Sequence, residues 1–229
     1  SSHRRQRQMC IRDSARGDLG IEIPMEETPL WQKTIINKCI ERAKPVILAT
    51  QIMESMIENP RPTRAEATDV ANAVIDGADT LMLSAETAAG KYPVKVVETM
   101  TKIIANVEKK DSIYHKNLLP DPDSKTFLSD AVCYNACKMS GDVKAEALIG
   151  MTRSGYTAFM MSSYRPKANI YIFTDNRPML KTLSLVWGVR AFYYFNFVST
   201  DDTIKDVQDI LLEKGVVKQG DVVINAASM

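Results

Sequence analysis

Three short stretches of this 229-residue chain carry residue types suited to phosphate and metal chemistry. The first is "ARGDLG", residues 15–20, in which Gly17 and Gly20 flank Asp18 and Arg16 stands just ahead. Gly17 lets a ligand approach the backbone closely, and Asp18 is a hard oxygen donor suited to Mg2+ or Mn2+. An ordinary turn with a solvated carboxylate uses the same residues. The second is a pair of apolar runs that each end in hydroxyl and acidic residues. "KPVILAT" closes on Thr50, and "LSAETAAGKYP" carries Ser84, Glu86, Thr87 and Gly90. Polar residues at the C-terminal ends of strands face the active site of an α/β barrel, although a threonine there can equally bond its own backbone. The third, "GMTRSGYTAFM" (150–160), reads as a strand, a Thr/Ser/Gly loop and a helix. Its backbone N–H groups, with the hydroxyls of Thr152, Ser154 and Thr157, form a candidate phosphate cradle. It lacks the GxxxxGK spacing of a Walker A loop, and a plain helix cap accounts for the same residues.

The elements that must position these residues follow from periodicity. "TPLWQKTIINKCIERA" places Leu30, Ile35, Ile36, Cys39, Ile40 and Ala43 along one helical stripe. Residues 44–50 are a short apolar run and read as a buried strand. Thr63 and Glu66 form a capping box ahead of a helix with Ala67, Val70, Ala71, Val74 and Ile75 on one face, closed by Gly77. Residues 80–84 are the next strand, and a helix follows with Pro93 in its first turn. Residues 109–125 are polar, hold two prolines and show no period, so they read as a linker. Alternation then resumes, with helices near 126–139, 156–164, 177–185 and 203–214 and strands near 145–151, 169–174, 189–195 and 221–226. Strands separated by helices imply parallel sheets with right-handed crossovers. The aromatic run "VRAFYYFNF" fits a buried strand or a subunit contact better than a base-stacking platform.

Composition narrows the function classes. Apolar residues make up 45% of the chain, enough for a packed core. The net charge is +1, but Arg4, Arg5, Arg7 and Arg12 crowd the first fourteen positions beside one acid, Asp13, so the remainder is slightly acidic. No basic field argues for nucleic acid. The four cysteines, Cys10, Cys39, Cys133 and Cys137, form no CxxC, and there are two histidines; clustered zinc ligands are lacking. Cys133 and Cys137, four apart on a helix, read as core packing, and a reducing cytoplasm is the expected compartment. No continuous apolar run reaches the roughly 18 residues of a membrane span, and the N-terminus lacks the apolar core of a signal peptide.

Taken in order, "ARGDLGIEIP", "KPVILATQIMESMIENPRPTRAEATDVANAVIDGADTLMLSAET" and "TRSGYTAFMMSSYRP" resemble the pyruvate kinase family, and the resemblance covers residues 15–229. It implies a partial (β/α)8 TIM barrel, with its last strands only, over residues 15–108. A linker would follow at 109–125, then a separate α/β domain with a mainly parallel sheet at 126–229. It implies that Asp18 binds the divalent metal, that the Gly17 and Asp18 amides hold the substrate carboxylate, and that Thr50 sits beside the substrate in the enolate protonation network. Arg16, Ser84 and Glu86 would line or brace the site. The family reaction moves the phosphoryl group of phosphoenolpyruvate to ADP with Mg2+ (or Mn2+) and K+, giving pyruvate and ATP. Thr152, Arg153, Ser154, Gly155 and Thr157 match a loop that binds a sugar-phosphate effector in many members, although Tyr156 stands where some carry a basic residue. A homotetramer is usual for the family.

The resemblance also implies absences. Two whole barrel strands are legible; the strand ahead of Ala15, the phosphoryl-stabilising lysine, the second metal carboxylate, the K+ ligands and the lid domain are not. The expectation is a chain truncated at both ends and inactive by itself. Residues 1–14, "SSHRRQRQMCIRDS", do not read as an apolar barrel strand; the two readings are a divergent leader and, the favoured one, sequence foreign to the gene such as translated adapter sequence. The alternative to an enzyme fragment is a non-catalytic α/β module for effector binding or oligomerisation.

Overall fold

The computed structural model describes residues 12–114, 118–196 and 199–226, with the side chains of residues 12–18 outside that description. The chain divides into two compact units, Ser1–Ile113 and Tyr114–Met229. In the first, β1 (Arg12–Ala15), β2 (Val46–Ala49) and β3 (Thr80–Leu81) form a parallel sheet in that order. Between them run α1 (Arg16–Glu22), α2 (Thr28–Glu41) and α3 (Arg64–Asp76), with α4 (Ala85–Ala88) and α5 (Pro93–Val107) after β3. The capping box forms as expected: Thr63 Oγ1 accepts from Glu66 N, Glu66 accepts from Thr63 N, and Gly77 ends the helix at φ 101°.

Two expectations are corrected here. A strand does precede Ala15: β1 pairs in parallel with β2 through Arg12–Val46, Asp13–Ile47, Ser14–Leu48 and Ala15–Ala49. Backbone donors and acceptors make this ladder whatever the side chains are, so a run that lacks apolar character still completes it. The expected boundary between residues 14 and 15 thus falls inside a strand; residues 1–11 lie outside the described residues. Likewise "ARGDLG" is not an isolated turn, because Arg16–Glu22 is helical and Gly17 and Asp18 sit in its first turn.

The segment after β2 is part of the core rather than a surface loop. Ile52, Met53 and Met56 are fully or almost fully buried, and they pack with Val70 of α3 and Val96 and Met100 of α5. β3 is shorter than the expected strand at 80–84. Its pairing ends at Leu81, Met82 N donates to Leu48 O at 2.9 Å, and Ser84 is the residue ahead of α4.

The second unit carries α6 (Phe127–Asp142), β4 (Ala147–Met151), α7 (Tyr156–Ser163), β5 (Asn169–Thr174), α8 (Arg177–Leu183), β6 (Val189–Tyr193), α9 (Thr200–Glu213) and β7 (Val223–Ala226). The sheet is parallel with order β6-β5-β4-β7. Strand period sorts its two faces. Leu148, Ile170 and Ile172 meet Cys133, Cys137, Met161 and Leu183 from α6, α7 and α8. Ile149, Tyr171 and Phe173 meet Val207 and Leu211 of α9. Both cysteines of α6 are core side chains, and burial pushes the Cys133 thiol up to about 12. β6 is an edge strand rather than a buried one: Tyr193 is half-exposed and Phe195 largely exposed. Among the described residues no helix is long and apolar enough to cross a membrane. Leu148 touches this core with no exposed surface, so Leu148→Ala is expected to lower the unfolding free energy of this unit by about 3 kcal/mol in urea titration.

Candidate functional site

The register of the first sheet decides what shares its C-terminal edge. Ala15 lies opposite Ala49, and Leu48 lies opposite Leu81, so three strands stop at one level. What leaves them is the Arg16–Gly17–Asp18 backbone after β1, Thr50 after β2, and the segment with Ser84 and Glu86 after β3. The first N–H groups of α1 have no acceptor within their own helix, and they open at this edge. The side chains of Arg16 and Asp18 are outside the described part of the structure.

Thr50 is held in an unusual state. It has φ 68°, and Gln51 follows at φ 53°. The left-handed region is rare for a β-branched residue and costs on the order of 1–3 kcal/mol. The Thr50 hydroxyl donates to Ala49 O at 2.7 Å, the backbone bond that the plainer reading of this residue anticipates. Its half-buried side chain remains at the strand end.

Two carboxylates fix the segment that follows. Glu66 accepts from Ser55 N at 2.7 Å, from the Ser55 hydroxyl at 2.5 Å and from Thr63 N at 2.7 Å. Burial pushes its pKa up, but the donors of Ser55 and Thr63 outweigh that and leave the carboxyl below its ordinary value. Glu86, expected to line or brace the site, is 4% exposed in α4 and accepts from Met53 N and Ser84 N. Ser84 itself is exposed. Gly90 closes this segment tightly, since a Cβ there would lie 2.5 Å from Glu86 O. Among the described residues no group of three histidines, cysteines, aspartates or glutamates gathers as a metal site. The side chain of Asp18, the expected metal ligand, lies outside those residues.

In the second unit the loop after β4 lies beside β7, where the strand order reverses. That reversal is the place at which open α/β sheets bind ligands. Gly155 caps α7 at φ 84°, and a Cβ would lie 2.7 Å from Met179 Sδ. The expected cradle is internally bonded. Thr152 Oγ1 accepts from Gly155 N at 3.0 Å and Ser154 Oγ accepts from Tyr156 N at 3.3 Å. Thr157 turns its methyl toward Gly150. Arg153 forks onto Asp175, with Nε at 3.0 and 3.1 Å and Nη2 at 2.6 Å, and that bond holds the Asp175 carboxyl below its ordinary value. Tyr156 donates its hydroxyl to buried Asp130, which also accepts from the Thr126 hydroxyl at 2.9 Å. Asp175 and Asp130 were not singled out from sequence. Asp175 had a readable signal, since "TDN" follows an apolar strand run as Thr50 does. Asp130 had none for its bond to Tyr156, which lies 26 residues away.

Family models match both units: "Pyruvate kinase, barrel domain" over residues 11–97 and "Pyruvate kinase, alpha/beta domain" over 130–229. A pyruvate kinase of Clostridium acetobutylicum is 44% identical over 216 residues, which cover 94% of this chain and 46% of that protein. One from Bacillus licheniformis is 46% identical over 215 residues, covering 93% and 36%. A crystal structure of a pyruvate kinase from Cryptosporidium parvum superposes with a TM-score of 0.84 at 37% identity, covering 93% of this chain and 43% of that one. The chain thus spans less than half the length of these relatives.

The Glu66 bonds generate a pH test. A carboxyl held below its unfolded value stabilises the fold fully above that value and loses the contribution as pH falls through the folded pKa. Glu66→Gln is expected to lower the urea midpoint of the first unit at neutral pH. The gap from wild type should close as pH drops from the ordinary value of 4.5 downward.

Proposed function

The chain belongs to the pyruvate kinase family, and on that premise we propose that it forms part of a cytoplasmic enzyme that transfers the phosphoryl group of phosphoenolpyruvate to ADP. The observation that carries this reading is the level sheet edge, where the Arg16–Asp18 backbone and Thr50 leave adjacent strands together. The amides of Gly17 and Asp18, at a helix N-terminus, suit the substrate carboxylate: first-turn N–H groups lack helical acceptors and carry partial positive charge. The hydroxyl of Thr50, held at the strand end on Ala49 O, supports a place for it in the enolate protonation network. Arg16 adds positive charge beside a polyanionic substrate, and Ser84 lines the rim. Asp18 is the chain's ligand for Mg2+ or Mn2+, which when bound gathers the negative charge that develops on phosphoryl transfer. The K+ ligands are taken to lie elsewhere in a homotetrameric whole.

Among the described residues three strands stand for an eight-stranded family barrel, a partial site, so the 229-residue polypeptide alone is expected to show no turnover. A pyruvate-coupled assay with Mg2+, K+, phosphoenolpyruvate and ADP tests both parts. The longer protein bearing this sequence should turn over, and Asp18→Ala should lower its rate by at least about 100-fold. Inactivity of the longer protein would overturn the assignment; activity of the polypeptide alone would overturn the partial-site argument.

A second reading, an effector-binding or oligomerisation module, is favoured by the placement of the Thr152–Thr157 loop at the strand-order reversal. A sugar phosphate bound there would have to exchange for the bonds that Thr152, Ser154 and Asp175 now make. Calorimetric titration of the chain with a sugar phosphate should give saturable heat by roughly millimolar ligand, an affinity of about 4 kcal/mol; a flat titration counts against this reading.

A further inference from the structure

We propose that Glu86 is a positioning residue for the candidate site, whose carboxylate ties together the segments after β2 and β3 and so holds the Thr50–Gln51 turn in its left-handed form. The side chain is 4% exposed, and no ion pair to it is found among the described residues. A buried carboxylate without a cation is costly unless donors replace its water. Here Oε1 accepts from Met53 N at 3.4 Å and Oε2 accepts from Ser84 N at 2.7 Å. Both amides lie beyond the ends of their strands, where the ladder no longer supplies acceptors. The Ser84 bond has the length of a charge-assisted one and the Met53 bond is longer, and through them one group links two strand-end amides on segments 31 positions apart in the sequence.

The consequence falls on Thr50. The ladder fixes Ala49 on one side. On the other, Met53 is fixed twice, by its amide on Glu86 and by its fully buried side chain in the core. Ile52 is buried in the same cluster, which leaves Thr50 and Gln51 to absorb the change of direction. Both have positive φ and neither is glycine. Such a pair persists only where its surroundings over-determine it. Glu66 repeats the device one turn later by taking Ser55 N. A glutamine at position 86 would keep the volume but offer one acceptor oxygen in place of two.

This role rests on the reading of Thr50 as a site residue, and the test is chosen to be independent of turnover. In the full chain, amide exchange at Met53 and Ser84 is measured by NMR, together with the Cα and Cβ shifts that report positive φ at Thr50 and Gln51. Glu86→Ala should cut protection at both amides by about tenfold or more and shift the Thr50 and Gln51 resonances toward ordinary φ. Residues 170–173 of the other unit should remain unchanged. Glu86→Gln, the variant that decides the matter if Glu86→Ala does not fold, should lose protection at one of the two amides and move the same shifts part of the way. Wild-type exchange and shifts in the folded variants would overturn the proposal, as would amides already unprotected in the wild type. Neither result would touch the assignment of phosphoryl transfer, which the coupled assay decides.

Discussion

Parallel pairing is the constraint on which the first unit depends. In a parallel ladder every strand points the same way, so all C-terminal ends lie along one edge. When the register also aligns those ends, as Ala15 with Ala49 and Leu48 with Leu81 do, residues distant in sequence leave the sheet side by side. Position in sequence then matters less than position relative to a strand end. Arg16 and Thr50 are neighbours of this kind, and both owe their placement to backbone bonds that are indifferent to side-chain identity. The strand Arg12–Ala15 shows how far that indifference goes: it pairs along its whole length without an apolar pattern.

Much of the architecture was legible because it rests on local signals. The capping box of Thr63 and Glu66, the closing Gly77 and the apolar runs at β2, β4 and β5 need no knowledge of distant partners. The candidate site was legible in outline for the same reason, since polar residues after apolar runs mark strand ends. What could not be read was how those residues are held. Glu66 was recognised as a cap, but its bonds to Ser55 depend on the path of the intervening loop. Glu86 was expected to line or brace the site, but its burial and its bonds to Met53 N and Ser84 N depend on contacts distant in sequence. Apolar periodicity erred at the margins in the same way. Leu30 and Ile75 fit their helical stripes but stay exposed, because a period identifies a face without saying how much of it will be covered.

The two loops of greatest chemical interest are restrained in opposite manners. The segment after β2 is tied from outside, by carboxylates on α3 and α4, and keeps a strained backbone. The loop after β4 is tied mainly from within. Its hydroxyls accept from its own amides, a glycine takes the left-handed position without strain, and Arg153 is matched by a carboxylate from the next strand end. Tyr156 adds one tie from outside, fastening the first residue of α7 to Asp130 on α6. A loop tied from outside is only as rigid as its neighbours, whereas one tied from within carries its own shape.

Ile52, Met53 and Met56 give the first case a wider meaning. They belong at once to the segment that carries Thr50 and to the hydrophobic cluster that α3 and α5 close around. A substitution that loosens this segment also opens the core, and one that repacks the core displaces the segment. Heat tolerance of this unit and the backbone course of the segment that carries Thr50 therefore draw on the same few side chains.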